Sequence, residues 1–127
     1  MIESESDLVT VRKVVRGLAT TTGFGITDLT RIVTAASELA RNVLCYAGSG
    51  YMRWRTLSLD NRVGIELTFA DQGPGIPDVA LAMQEGYTTS GGLGMGLPGP
   101  KRVMDELEIQ TELGKGTTVT IQKWRYQ

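Results

Sequence analysis

Apolar residues in the first part of the chain recur at intervals of three and four. From about Ser6 the series Leu8, Val11, Val14, Val15, Leu18 and Ala19 outlines one face of an amphipathic helix. Ser4 or Ser6 is placed to cap its start, and Gly23 stands just beyond its end. Phe24-Gly25-Ile26 reads as a turn. Thr27 then caps a second predicted helix from Asp28 to about Tyr46, with Asp28 complementing the positive end of the helix dipole. The stripe of this second helix is Leu29, Ile32, Ala36, Leu39, Ala40 and Val43. At about 100° per residue, Glu38 and Asn42 lie only about 40° apart and well over 100° from the stripe's centre. They share a face that is not the core-facing one. A Glu/Asn pair one turn apart is ordinarily a solvated face. Next to a phosphate pocket, the same carboxylate and carboxamide suit a general base and a Mg2+ ligand.

After Gly48-Ser49-Gly50 the period shortens to two. Tyr51 to Leu59 and Val63 to Ala70 read as antiparallel strands around Asp60-Asn61-Arg62. In the second of them Val63, Ile65, Leu67 and Phe69 alternate with Gly64, Glu66, Thr68 and Ala70, so one face is buried and the other wet. This strand runs straight into Asp71. Further on, Asp78 caps a predicted short helix from Val79 to Glu85, and Gly86 to Gly92 has no period and reads as a flap. Pro98 and Pro100 suit the first turn of a helix continuing through Lys101 to Asp105. Leu107 to Glu112 and Thr117 to Trp124, joined by Gly114-Lys115-Gly116, form a closing hairpin. Helices separate from antiparallel strand pairs predict an α+β two-layer sandwich in one domain, residues 1–127.

The densest punctuation lies between Asp71 and Gly99. Two glycine clusters, Asp71-Gln72-Gly73-Pro74-Gly75 and Gly91-Gly92-Leu93-Gly94-Met95-Gly96, flank a short polar segment. Each such glycine costs conformational entropy on folding, so the concentration makes sense where bare backbone must approach a ligand. Phosphate is the usual ligand of that kind, held by N–H groups of a loop or helix start.

Composition narrows the possibilities. The 127 residues are 41% hydrophobic and 21% charged, with a formal net charge of −1, so bulk charge makes no case for nucleic acid or an anionic membrane as partner. No apolar run is long enough to span a bilayer and no signal peptide opens the chain, which makes a cytoplasmic location the expectation. Cys45, the single cysteine, reads as a small core or flank residue; without a histidine in the chain, neither a His-activated nucleophile nor a His-built zinc site can form.

Gly94-Met95-Gly96-Leu97-Pro98-Gly99 matches the dinucleotide-binding spacing literally, but the residues before it are polar rather than a strand, which excludes that reading. A Walker-type loop and the protein-kinase motif set are absent. What remains is an ordered set: Glu38-x-x-x-Asn42 on a helix, Asp71-x-Gly73-x-Gly75 after a strand, Gly92-x-Gly94-x-Gly96 before a helix, and Gly116-Thr117 entering a strand. In this order the chain, over about residues 25–122, resembles the GHKL ATPase superfamily, which includes histidine-kinase ATPase domains, gyrase, MutL and the small serine kinases of bacterial sigma-factor switches. The runs Ala36 to Asn42, Asp71 to Pro77, Thr89 to Gly99 and Val103 to Glu106 look most like the RsbT-type switch-protein kinases. The family's first strand is represented only by Met1 to Glu3.

The resemblance implies a two-layer α/β sandwich whose mixed, mostly antiparallel sheet is covered by helices on one face. It implies ATP and Mg2+ as cofactors. Asp71 would accept a hydrogen bond from the adenine amino group, with Gly73 and Gly75 letting the backbone close on the base and Thr117 supporting it. Asn42 would complete the Mg2+ coordination. Gly92, Gly94 and Gly96 would present N–H groups to the phosphates, and Glu38 would take the proton of a serine or threonine hydroxyl on a partner protein. Implied partners are STAS-domain antagonist or scaffold proteins of a stressosome-type stress-response module, and a PP2C-type phosphatase activated by direct binding. The alternative is a nucleotide-gated module that sequesters a sigma factor.

Overall fold

The computed structural model describes residues 1–73, 104–112 and 116–126. Two helices come first, α1 (Glu5–Thr22) and α2 (Ile26–Ala47), followed by strands β1 (Gly50–Leu59), β2 (Arg62–Asp71), β3 (Glu106–Glu112) and β4 (Gly116–Tyr126). The predicted helix at 79–85 and the flap at 86–92 lie outside the described residues. Met104 and Asp105 form a bend into β3, so the helix expected to run through Asp105 does not include them.

Each end of α1 has a local cause. Ser4 is its N-cap, and the Asp7 carboxylate reaches back to accept from the N–H groups of Glu3 (2.8 Å) and Ser4 (3.1 Å), satisfying donors that precede the helical ladder. The Glu3 N–H is also the main reason the Asp7 carboxyl titrates below its ordinary value. At the other end Gly23 takes the left-handed conformation (φ 97°), and the Gly23 and Phe24 N–H groups close back on Thr20 and Ala19 carbonyls at 3.1 Å. Phe24 thereby turns into the core beside Ala19.

The second helix starts earlier than its sequence suggests. Gly25, not Thr27, is the N-cap, and its carbonyl accepts from Leu29 N–H at 2.8 Å. With Phe24 already buried, only four residues separate it from Leu29, which with Ile32 must also face inward. That tertiary demand overrides the capping preference of a threonine.

The strands order as β1-β2-β4-β3, and every pairing among the described residues is antiparallel. Asp60, at φ 54°, and Asn61 close the β1–β2 hairpin on the Leu59–Arg62 pair, so Arg62 belongs to the strand rather than to the turn. On β2 the alternation places Ile65, Leu67 and Phe69 against the helices; Leu67 faces Ile121 and Phe69 faces Val119 across the ladder. Leu8, Val11, Val15 and Ala19 of α1 and Leu29, Ile32, Ala36, Leu39, Ala40 and Val43 of α2 complete this single layer. Full burial of each large side chain stabilises the fold by about 1.5–3 kcal/mol. Val63 and Val14, expected in the core, are half-buried, and Cys45 is exposed on the flank of α2.

The opposite sheet face carries a polar row across its middle. Arg55, Glu66 and Gln122 line up across three strands, and Glu66 accepts from Arg55 Nε at 2.7 Å and from Gln122 Nε2 at 2.6 Å. The Arg55 hydrogen bonds hold the Glu66 carboxyl below its usual 4.5, outweighing burial. A depressed folded value means that this stabilisation is present above the unfolded value and is lost as pH falls through the folded one. Chemical denaturation followed between about pH 6 and pH 3 is therefore expected to show a shallower acid loss of stability in Glu66→Gln than in the parent. Equal slopes would remove Glu66 from the acid response. The effect is modest because the Arg55 side chain is 67% exposed.

Candidate functional site

Asp71 ends β2 where three strands meet. It lies opposite Gly50 of β1 on one side and Thr117 of β4 on the other. Two residues after the buried Phe69, it shares the helix-facing side of the sheet. Its Oδ1 accepts from the Gly73 N–H at 2.9 Å, an Asx-type turn that orients the carboxylate. Among the described residues Oδ2 has no partner. The turn-forming and ligand-binding readings of Asp71 are thus compatible, since one oxygen holds the loop and the other is uncommitted among the described residues.

Three glycines let backbone crowd around this carboxylate. A Cβ on Gly73 would stand 2.8 Å from the Ala47 Cβ, which shows how closely the loop after Asp71 runs beneath the end of α2. A Cβ on Gly50 would meet the Ala70 carbonyl at 2.4 Å and Val43 Cγ1 at 2.6 Å. Gly116, with φ 106°, lies against Asp71 itself, its Cβ position 2.1 Å from the Asp71 carbonyl oxygen. Only glycine combines that torsion with that approach. Together these contacts pin the second half of α2, which carries Asn42, to the strand end that carries Asp71.

Thr117 is half-buried on β4, and its Oγ1 lies 3.0 Å from Thr111 Oγ1 of β3; the Thr111 hydroxyl also reaches the Gly116 carbonyl at 3.2 Å. Sequence reasoning identified Thr117 and missed Thr111, which steadies it. The available signal was a second threonine placed to pair across the predicted closing hairpin.

On α2, Glu38 and Asn42 are half-buried, at the margin of the helix–sheet layer rather than on an open solvated face. Their neighbours Leu39, Ala40 and Val43 are buried, so the helix has little freedom to rotate and carry them elsewhere. A residue not singled out from sequence, Arg12 of α1, donates from Nε to Ser37 Oγ at 3.0 Å and ties α1 to the helix turn bearing Glu38. The Asn42 side chain makes no hydrogen bond among the described residues. A half-buried hard oxygen with no hydrogen-bond partner among the described residues suits a magnesium ion that takes its other ligands from phosphates and water.

The structure therefore brings Asp71, Gly73 and Thr117 to one strand end and packs the helix of Glu38 and Asn42 against it. Gly75, Gly92, Gly94 and Gly96 lie outside the described residues. No helix among the described residues is long and apolar enough to cross a membrane.

Comparison with known proteins matches residues 3–123 to the model of the histidine kinase-like ATPase domain. The chain is 46% identical over 123 residues to the serine/threonine-protein kinase RsbT of Bacillus subtilis, covering 97% of this chain and 92% of that one. It is 37% identical over 119 residues to the anti-sigma F factor of Caldanaerobacter subterraneus, covering 89% and 82% of the two chains. Among solved structures, the mycobacterial sensor histidine kinase MprB superimposes with a TM-score of 0.60 at 19% identity, over 94% of this chain and 96% of that one.

Proposed function

Because the chain belongs to the histidine kinase-like ATPase domain family, we propose that it is an ATP-dependent kinase of serine or threonine residues in a partner protein. The observation that carries this reading is the 46% identity, sustained over 97% of the chain, to a relative named as such a kinase. The geometry around Asp71 supports it.

In this proposal Asp71 Oδ2 accepts the adenine amino group, while Gly73 and Gly75 let the backbone close on the base and Thr117 borders it. Gly92, Gly94 and Gly96 are assigned to the phosphates by their spacing before a predicted helix. Asn42 would hold the magnesium ion. When bound, that ion neutralises charge on the phosphates. Glu38 accepts the proton of the attacking hydroxyl as the hydroxyl oxygen bonds to the γ-phosphorus and the γ-phosphorus–oxygen bond to ADP breaks. Positioning and charge neutralisation supply most of what phosphoryl transfer needs, so one carboxylate on a rigid helix suffices as the base.

The finer proposal is that the substrates are STAS-domain antagonist or scaffold proteins of a stress-response partner switch in the cytoplasm. A PP2C-type phosphatase is proposed as a second partner, activated by binding. A second reading, nucleotide-gated sequestration of a sigma factor, is favoured by the 37% identity to an anti-sigma F factor. Incubation of the chain and its co-purifying proteins with γ-labelled ATP separates the two. We expect acid-stable label on a serine or threonine of a STAS-domain protein. Recovery of a sigma factor with no label transferred to any partner would overturn the kinase reading in favour of sequestration.

A further inference from the structure

Asp71, Thr117 and Thr111 stand in one row across the end of the sheet, Asp71 opposite Thr117 and Thr117 opposite Thr111. Phe69, Val119 and Ile109, each two residues away along its strand, pack into the core, so all three polar residues share the helix-facing side. Directly opposed side chains on neighbouring strands start about 5 Å apart. One small group can therefore reach both Asp71 and Thr117, directly or through a single water.

The protons along this row decide what it offers. A hydroxyl has one proton to donate. The Thr111 hydroxyl lies 3.2 Å from the Gly116 carbonyl oxygen, which can only accept, so its proton is committed there. In the 3.0 Å contact between the two threonine hydroxyls, Thr117 is then the donor and Thr111 the acceptor. Thr117 is left with lone pairs, and no proton, for a group that approaches from the Asp71 side. On Asp71, Oδ1 accepts from the Gly73 N–H, and Oδ2 has no partner among the described residues. Asp71 Oδ2 and Thr117 Oγ1 thus form a pair of acceptors.

Such a pair selects a group with two N–H donors. The 6-amino group of adenine supplies one proton for each oxygen. The 6-oxo group of guanine or hypoxanthine sets a third acceptor against them and leaves polar atoms unpaired. Without its neighbour Thr117 could not make this distinction, because a freely rotating hydroxyl donates to an oxygen as readily as it accepts from an amino group. We propose that Thr111 is a positioning residue that determines base specificity. By donating to Gly116 and accepting from Thr117, it holds Thr117 as an acceptor and makes the site select 6-amino over 6-oxo purine nucleotides. The proposal rests on the reading of Asp71 and Thr117 as the base-binding end of the site.

The test measures the affinity of the full chain, with magnesium present, for ATP and for inosine triphosphate, whose base has an oxygen in place of the 6-amino group. The parent is expected to prefer ATP by at least about tenfold. Thr111→Val, similar in shape but without the hydroxyl, releases the Thr117 proton. It should narrow the preference by about three- to tenfold, the contribution of roughly one hydrogen bond, by tightening inosine triphosphate rather than weakening ATP. Thr111→Ala should do the same, and Thr111→Ser, which keeps the hydroxyl, should retain the parental ratio. Damage to the strand alone would weaken both nucleotides together and leave the ratio as it was. An unchanged ratio in Thr111→Val and Thr111→Ala, or no preference in the parent, would overturn the proposal while leaving the base-binding reading in place. Asp71→Asn tests that reading separately: it should weaken ATP, and parental ATP affinity in this variant would overturn both.

Discussion

Replacement of Glu38 by alanine is expected to lower phosphotransfer to the partner hydroxyl by about 10²–10⁴-fold, the usual contribution of a positioned general base, with nucleotide still bound. Glu38 sits in the middle of α2, between the buried Ala36 and Leu39, on a helix tied to α1 by the Arg12–Ser37 hydrogen bond. Alanine favours the helix at least as well as glutamate does, so the substitution removes the carboxylate while keeping α2 helical. The proposed adenine contacts come from Asp71 and Thr117, on a strand end that α2 supports through Val43 and Ala47 rather than through Glu38. Single-turnover transfer and nucleotide binding should be measured on the same preparation. A large loss of transfer with unchanged nucleotide affinity is the predicted pair. Transfer at an undiminished rate would take the base role away from Glu38, and equal loss of both would make it a structural residue.

Gly116→Ala is expected to act on stability and binding together. A left-handed residue with a side chain costs about 1–2 kcal/mol. Here the new methyl would also sit 2.1 Å from the Asp71 carbonyl and 2.8 Å from Gln72 Cα, both backbone atoms that cannot turn aside. Relief requires the start of β4 to move away from the end of β2, which separates the Asp71–Thr117 pair. We expect a loss of about 3 kcal/mol or more in denaturant unfolding, together with weaker nucleotide binding in the fraction that stays folded. Gly50→Ala meets comparable crowding but lacks the positive φ, so it should cost less. A Gly116→Ala protein with parental stability and affinity would show that β4 and β2 can part there without consequence.

Much of the fold was legible because burial writes a local period into a chain. Leu8, Val11, Val15 and Ala19 at helical spacing, and Ile65, Leu67 and Phe69 at strand spacing, identified their elements and their inward faces without any partner being known. Ser4 at the start of α1 and Gly23 at its end were readable for the same reason, since caps act within one turn. Glu38 and Asn42 were recognisable as one face, and Asp71 as a carboxylate delivered by a strand.

What the chain could not disclose locally depends on residues far apart in sequence. The start of α2 moved to Gly25 because Phe24 and Leu29 both had to reach a core shared with the sheet. Arg12 meets Ser37, Thr111 meets Thr117, and Gly73 fits under Ala47 only once the layers have closed. Amino-acid pattern by itself identified most of the residues that face inward, though not the half-buried positions of Val14 and Val63. Tertiary structure decided which of those groups meet, and why Gly50, Gly73 and Gly116 must be glycine, because close approach belongs to two segments at once and neither encodes it alone.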